Sequence, residues 1–380
     1  YHMRSKSARG IWLTIDIPSD ALPGVYTTEL TLSAKGEKPL SLILEVEVLS
    51  RVLPDPSDWT YHLDLWQNPY AAARVDDVEL WSDEHFAAMV PLYRMLAEAG
   101  QKCITATILH RPWGGQTLDQ FESMVKHSLK EDGNWDFDYS IFDTWVSYML
   151  DLGITEQINC YSLIPWGNQL WYFDEGLGLD TFMVAKASSA EFASYWTPFL
   201  EDFAAHLKEK GWYDITTIAM DERPQKDMLS AIKLIQEHAG LKITSAANYS
   251  PGTSEHVYDL SVAPGHILEE EVLEERRRNG QITTYYVCCA DEFPNNFTYS
   301  APAEGIWQGW FAFAKKQDGF LRWAYNSWVE DPLYDTRFRT WPAGDTYFVY
   351  PGPLSSIRWE KLREGIQDFE KLRILTEELK

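Results

Sequence analysis

The chain has 380 residues, 45% hydrophobic and 24% charged, which suits a soluble globular protein built as one large α/β domain with a small appendage. Its 33 Lys and Arg face 57 Asp and Glu, and a net charge of −24 repels phosphate, which argues against nucleic acid and anionic membrane as partners. The four cysteines form neither a disulfide framework nor a zinc spacing, no run of about 18 apolar residues is present to span a membrane, and no signal peptide is visible in a sequence that starts abruptly at Tyr1-His2-Met3.

Residues 8–50 read as β structure. GIWLTIDIP, YTTELTLSA and LSLILEVEV alternate apolar and polar positions at period two, with a turn at Pro23-Gly24 and a break at Gly36. Three such strands are expected to be the last part of a β-sandwich whose beginning is missing, or one docked on its neighbour, so residues 1–53 are assigned to a partial sandwich and Pro54-Asp55-Pro56 to a linker.

From Trp59 onward strand and helix alternate. Apolar β-type runs fall at 61–66, 103–109, 157–164, 214–220, 242–247, 258–263, 281–288 and 319–325. Helical faces lie between them: Phe86, Met89, Val90, Tyr93 and Leu96; Phe142, Trp145, Val146 and Met149; Phe192, Tyr195, Trp196, Phe199 and Phe203. Ser188 and Glu191 have capping-box spacing, and Gly100, Gly153, Gly211, Gly240 and Gly280 sit where helices should stop. Eight β/α units predict a (β/α)8 TIM-like barrel over residues 59–354, with a hairpin inserted at 123–138 after the second strand. Residues 355–380 read as a closing amphipathic helix carrying Ile357, Leu362, Ile366 and Phe369. The charge run Glu269–Glu271 with Arg276–Arg278 reads as a solvated helix face.

Barrel chemistry sits at the C-terminal ends of the strands. Those ends bring Trp66, His110, Trp113, Trp166, Asn248, Tyr286, Asn326 and Trp328 to one mouth, with Trp323 on the last strand. An aromatic platform beside amides and carboxylates suits a sugar ring, which has an apolar face and a hydroxyl rim. The 17 Trp, 20 Tyr and 17 Phe make such a mouth plausible, although barrel cores also use aromatics. Period-two alternation leaves open whether Tyr285 or Tyr286 faces inward.

The sharpest feature is IAMDERP, residues 218–224, where a buried run delivers Asp221 and Glu222 to a strand end. Adjacent residues on extended backbone point to different sides, so one carboxyl can protonate a leaving oxygen while the other orients the substrate. Such an acid needs a raised pKa, which partial burial beside a like charge supplies. The competing reading makes one of the pair an N-cap for a helix starting at Pro224.

IAMDERP, TYYVCC, RWAYNSW and the closing GDTYFVYPGPLSSIRWEKLREGIQDFEKLRIL resemble glycoside hydrolase family 123 over residues 60–380. The resemblance implies a β-sandwich before a (β/α)8 barrel, with residues 8–50 matching the end of a longer sandwich. It implies an exo-acting enzyme that removes terminal β-linked N-acetylhexosamine, above all N-acetylgalactosamine, from a glycan or glycoconjugate. It further implies substrate-assisted retention, in which the sugar's acetamido carbonyl attacks C1 to give an oxazolinium-like intermediate. In that scheme Asp221 holds the acetamido N–H and Glu222 is the general acid/base. Tyr286 is a candidate for the acetamido carbonyl. A periplasmic, secreted or cell-surface location is implied in the same way, and no cofactor or metal is expected. Two alternatives remain: a direct nucleophile at Glu292 paired with Glu222 as acid/base, and a non-catalytic glycan-binding protein on the same barrel.

Overall fold

A computed structural model describes residues 10–380 and divides the chain at Pro54–Asp55 into two units. The part of the expected sandwich before residue 10 lies outside the described residues.

The N-terminal unit contains an antiparallel hairpin, β1 (Gly24–Leu32) and β2 (Leu40–Val48), paired in register from Gly24 with Val48 to Leu32 with Leu40. The alternating run 10–18, expected as a strand, forms none, and Ile11, Leu13, Ile15 and Ile17 are exposed. Alternation offers a strand a face to bury, but its backbone groups also need a partner ladder, and no strand pairs with this run among the described residues.

The second unit starts with β3 (His62–Leu65), followed by α1 (Pro69–Asp76), α2 (Asp83–Ala97) and β4 (Cys103–Thr107). The hairpin β5 (Lys126–Leu129) and β6 (Trp135–Asp138) comes next, then α3 (Ser140–Asp151) and β7 (Gln157–Tyr161). A second hairpin, β8 (Gln169–Asp174) and β9 (Leu179–Val184), leads to α4 (Ala190–Lys210), β10 (Thr216–Met220), α5 (Gln225–His238) and β11 (Lys242–Ala246). The remainder is β12 (Asp259–Val262), α6 (Glu270–Arg278), β13 (Ile282–Tyr286), α7 (Ala303–Ala314), β14 (Gly319–Arg322) and α8 (Ile357–Glu378).

The eight predicted runs thus all form strands, in the sheet order β3-β14-β13-β12-β11-β10-β7-β4 with every neighbour parallel. A parallel bridge between Leu63 and Gln101 joins the two ends of that order, with Lys102 N–H donating to the Leu63 carbonyl at 2.9 Å, so the sheet is a (β/α)8 barrel. Trp145, Trp196 and Trp359 are fully buried on the helix layer, and the Trp145 indole donates to the Thr105 carbonyl of β4 at 3.0 Å. Helix α8 is tied to the first barrel strand by buried Glu370, which accepts from the backbone N–H of Thr60 and Tyr61 at 2.7 and 2.8 Å. Of the four apolar residues expected on its inner face, Leu362, Ile366 and Phe369 are buried and Ile357 is exposed.

Local signals held with small shifts. Gly211 ends α4 in the left-handed conformation at φ 75°, where a side chain would be strained. The cap at the other end is Ser189, one residue after the expected Ser188, and its hydroxyl accepts from Phe192 N–H at 3.2 Å. The hairpin predicted after the second barrel strand is present, but it is half of a four-stranded sheet of order β6-β5-β8-β9. Its other half was not legible, because QLWYFD runs four apolar residues together and lacks clean alternation. The charged run on α6 is not wholly a solvated face. Arg276 is buried and donates to the carbonyls of Ser254, Val257, Tyr258 and Ile282, bonds that a solvated arginine would give to water.

Candidate active site

Strand β10 ends at Met220, and Asp221 and Glu222 follow directly at the C-terminal rim. Neither carboxylate caps α5: its N-cap is Pro224, with no side-chain cap hydrogen bond, which removes the structural reading of the pair. Asp221 is half-buried, and its Oδ2 accepts from the Trp166 indole N–H at 3.2 Å. Glu222 is exposed, and its Oε1 accepts from the Tyr286 hydroxyl. Arg223 braces the turn by donating to the carbonyls of Ile164 at 3.1 Å and Glu222 at 2.7 Å.

Burial pushes the Asp221 carboxyl up to about 6; Arg223 and the indoles of Trp166 and Trp113 oppose that rise, and the charge of Glu222 adds to it. Asp221 is the residue expected to orient the substrate with its charge. Tyr286 is held as a phenol, first by burial and then by its bond to Glu222.

A cavity of about 290 Å³ opens over this pair. Of the sequence candidates, Trp66, Trp166, Asp221, Glu222, Tyr286 and Trp323 line it together. The open choice on β13 is resolved as well: Tyr285 is fully buried and donates to Gln308 on α7, so Tyr286 is the inward residue.

The remaining candidates stand elsewhere. Trp113 lies behind Trp66, stacked at 4.8 Å and 25°, where it supports the cavity wall. His110 meets Trp171 edge-on at 5.1 Å and lines a separate cavity of about 470 Å³ beside the inserted sheet. Asn248 is exposed beyond β11 and does not line the cavity. Asn326 is buried and exchanges hydrogen bonds with the backbone of Asn68 at 2.9 and 2.8 Å, and Trp328 donates to the Val349 carbonyl at 2.7 Å. Both fasten loops. Glu292 is exposed on the loop after β13, outside the cavity.

Among the lining residues that sequence reasoning missed are Trp341 and Asp345. Trp341 meets Trp323 edge-on at 6.0 Å and donates to the Gln116 carbonyl at 3.0 Å. Asp345 is fully buried, and its Oδ1 accepts from Arg322 at 2.7 Å. Asp345 is the second residue of the closing GDTYFVYPGP motif, a signal that was visible without a role attached to it.

One group of metal-type side chains occurs among the described residues. His62, Cys103 and Asp259 meet in the barrel interior, with ligating atoms within 4.8 Å of one another. They are hydrogen-bonded: His62 Nε2 lies 3.1 Å from Asp259 Oδ2 and 3.3 Å from Cys103 Sγ, and Gln157 donates to Asp259 at 2.8 Å. Burial and the nearby carboxylates hold the Cys103 thiol far above its ordinary range.

Two carboxylates at a strand end, one polarised by an indole and one by a phenol, can orient a polar substituent and move a proton across a glycosidic bond. The family model "Glycoside hydrolase 123, catalytic domain" matches residues 66–375. The chain is similar to a family 123 glycoside hydrolase from Clostridium perfringens, whose structure was analysed for glycolipid glycan hydrolysis. Identity is 34% and the TM-score 0.90, over 96% of this chain and 68% of that one. More distant likenesses are a maltogenic α-amylase from Thermotoga neapolitana (11% identity, TM-score 0.44, 82% and 77% of the two chains) and an exo-β-1,4-mannosidase from an Opitutaceae bacterium (10%, 0.45, 82% and 60%). No curated protein sequence matches.

Proposed function

The chain belongs to glycoside hydrolase family 123, and from that premise we propose that it removes terminal β-linked N-acetylhexosamine, N-acetylgalactosamine in particular, from glycoconjugates. The observation that carries the reading is the Asp221–Glu222 pair on one cavity wall, each carboxylate held by a different aromatic donor. Asp221 takes the acetamido N–H and stabilises positive charge as the acetamido carbonyl attacks C1. Glu222 gives its proton to the leaving oxygen, and then accepts one from the water that opens the oxazolinium ring. Because Tyr286 occupies Glu222 Oε1, Oε2 is the oxygen available to the glycosidic bond. Trp66, Trp166 and Trp323 supply the apolar face against which a pyranose packs.

Glycolipid glycans are the substrates named for the Clostridium enzyme, and the same substrate class, met outside the cytoplasm, is part of this proposal. The position of Glu292, exposed and away from the cavity, gives the direct-nucleophile reading no support.

The test is a panel of aryl β-glycosides of N-acetylgalactosamine, N-acetylglucosamine, galactose and glucose. Turnover confined to the two acetamido sugars, fastest for N-acetylgalactosamine, is expected. Comparable hydrolysis of galactoside or glucoside would overturn the acetamido role, and saturable sugar binding without hydrolysis would favour a glycan-binding protein.

A further inference from the structure

The inserted sheet of order β6-β5-β8-β9 has two unlike faces. Its inner face is packed: Tyr172 meets Trp135 and Tyr195, and His127 lies against Tyr195 and Phe199 of α4. Alternation turns the intervening residues the other way. There β8 presents Trp171 and Phe173, their partners across the ladder on β9 are Phe182 and Asp180, and β5 adds Lys126. Phe182, Asp180 and Lys126 are exposed, and Phe182 continues the ring surface of Trp171 at 4.7 Å and 44°. Lys126, Trp171, Phe173 and Asp180 line the cavity of about 470 Å³, and His110 joins them from the barrel rim. Ring surface mixed with polar groups that still have bonds to give suits a sugar better than an apolar partner. The side chains of His110, Lys126 and Asp180 make no hydrogen bond or ion pair with any described residue. Burial holds the His110 ring below its ordinary pKa, so the neutral imidazole offers one donor and one acceptor. With Asp180 and Glu122 against Lys126, the lining has no surplus of positive charge to draw an anion. The site also adjoins the catalytic cavity. The carbonyl of Pro112, two residues after His110, accepts from the N–H of Trp166 at 2.8 Å, and Trp166 lines that cavity. Strand β8 starts three residues beyond Trp166, so Trp171 stands at most about 18 Å from it along the chain.

We propose that the outer face of the inserted sheet, together with His110, is a second sugar-binding site that holds neutral hexose units of the glycan chain while its terminal residue occupies the catalytic cavity. This deepens the hexosaminidase reading and rests on it. A hexose packs its C–H face on the ring surface of Trp171 and Phe182, and its hydroxyl rim meets Asp180, Lys126 and His110. No residue of this site lines the cavity of the acid pair, so it takes no part in the bond cleavage. It selects for the chain behind the terminal sugar, and an aryl glycoside of a single sugar leaves it empty.

The experiment compares wild type with Phe182→Ala and Asp180→Ala, two exposed positions outside the catalytic cavity. Two substrates are used: an aryl β-N-acetylgalactosaminide, and an oligosaccharide in which N-acetylgalactosamine is β-linked to lactose. Expected is a loss of about 10-fold in kcat/KM on the oligosaccharide in each variant, carried by KM, with the aryl substrate within about twofold of wild type. Equal losses on both substrates, or a loss on neither, overturn the proposal. Calorimetric titration with lactose alone gives a second readout that needs no turnover. Wild type should bind it, and both variants should bind it more weakly. Lactose binding that the variants leave unchanged overturns the second site and leaves the hexosaminidase reading standing. Lactose binding weakened in the variants, with neither substrate turned over by wild type, keeps the site and overturns the hexosaminidase reading.

Discussion

Asp221 carries the most informative charge in the site. Burial pushes its carboxyl up to about 6, against the pull of Arg223 and two indoles. The mechanism needs this group ionised, so kcat/KM of wild type should rise as pH increases through about 6. Asp221→Asn should lack that acidic limb and turn over about 10²–10³-fold more slowly, since a charge aimed at the developing cation is gone. A pH–rate profile of both proteins checks this, and an unchanged acidic limb in the variant would move the titration to another group. The linkage sign is the opposite of a salt-bridged aspartate. A folded-state pKa above the unfolded one favours the fold below the ordinary carboxylate range, and that advantage is lost as pH climbs through about 6. The acid pair was legible because its two members are adjacent and end a strongly apolar run. Asp345 and Trp341 were not, because they reach the cavity from a long loop after β14, where no periodicity connects them to a strand mouth.

Elements were readable where one period dominated. All eight barrel strands are short β-type runs buried along most of their length, and the faces of α2, α3 and α4 repeat at helical spacing. What escaped depends on partners distant in sequence: residues 10–18 form no ladder, and β8 and β9 complete a sheet begun by β5 and β6. The close packing of α7 on α8 escaped for the same reason. A Cβ placed on Gly309 would stand 1.8 Å from the Gly365 carbonyl oxygen, and one on Gly365 would stand 2.6 Å from that of Ile306. The obstacles are backbone atoms, so neither helix can yield without moving. Gly309→Ala should therefore destabilise the protein by about 3 kcal/mol or more, despite the better helix propensity of alanine. Urea unfolding measures it, and a variant as stable as wild type would mean that the two helices lie further apart.

On the scale of the molecule, the aromatic surplus divides into two uses. Trp145, Trp196 and Trp359 fill the helix layer, whereas Trp66, Trp166, Trp323 and Trp341 line the cavity. The barrel was legible as eight β/α units, and its chemistry as the end of one strand. The buried polar cluster of His62, Cys103 and Asp259 was not, since its members come from three different strands. The charge of −24 bears on partners and says little about a neutral sugar. The central claim is that the substrate's own acetamido group, oriented by Asp221, is the nucleophile. It is tested most directly by aryl β-N-acetylgalactosaminides in which the acetyl methyl carries zero, one, two or three fluorines. The account predicts a steep fall in kcat/KM with each fluorine, as the carbonyl oxygen becomes a weaker nucleophile. A flat series, together with a glycosyl group trapped on an enzyme carboxylate, would contradict it.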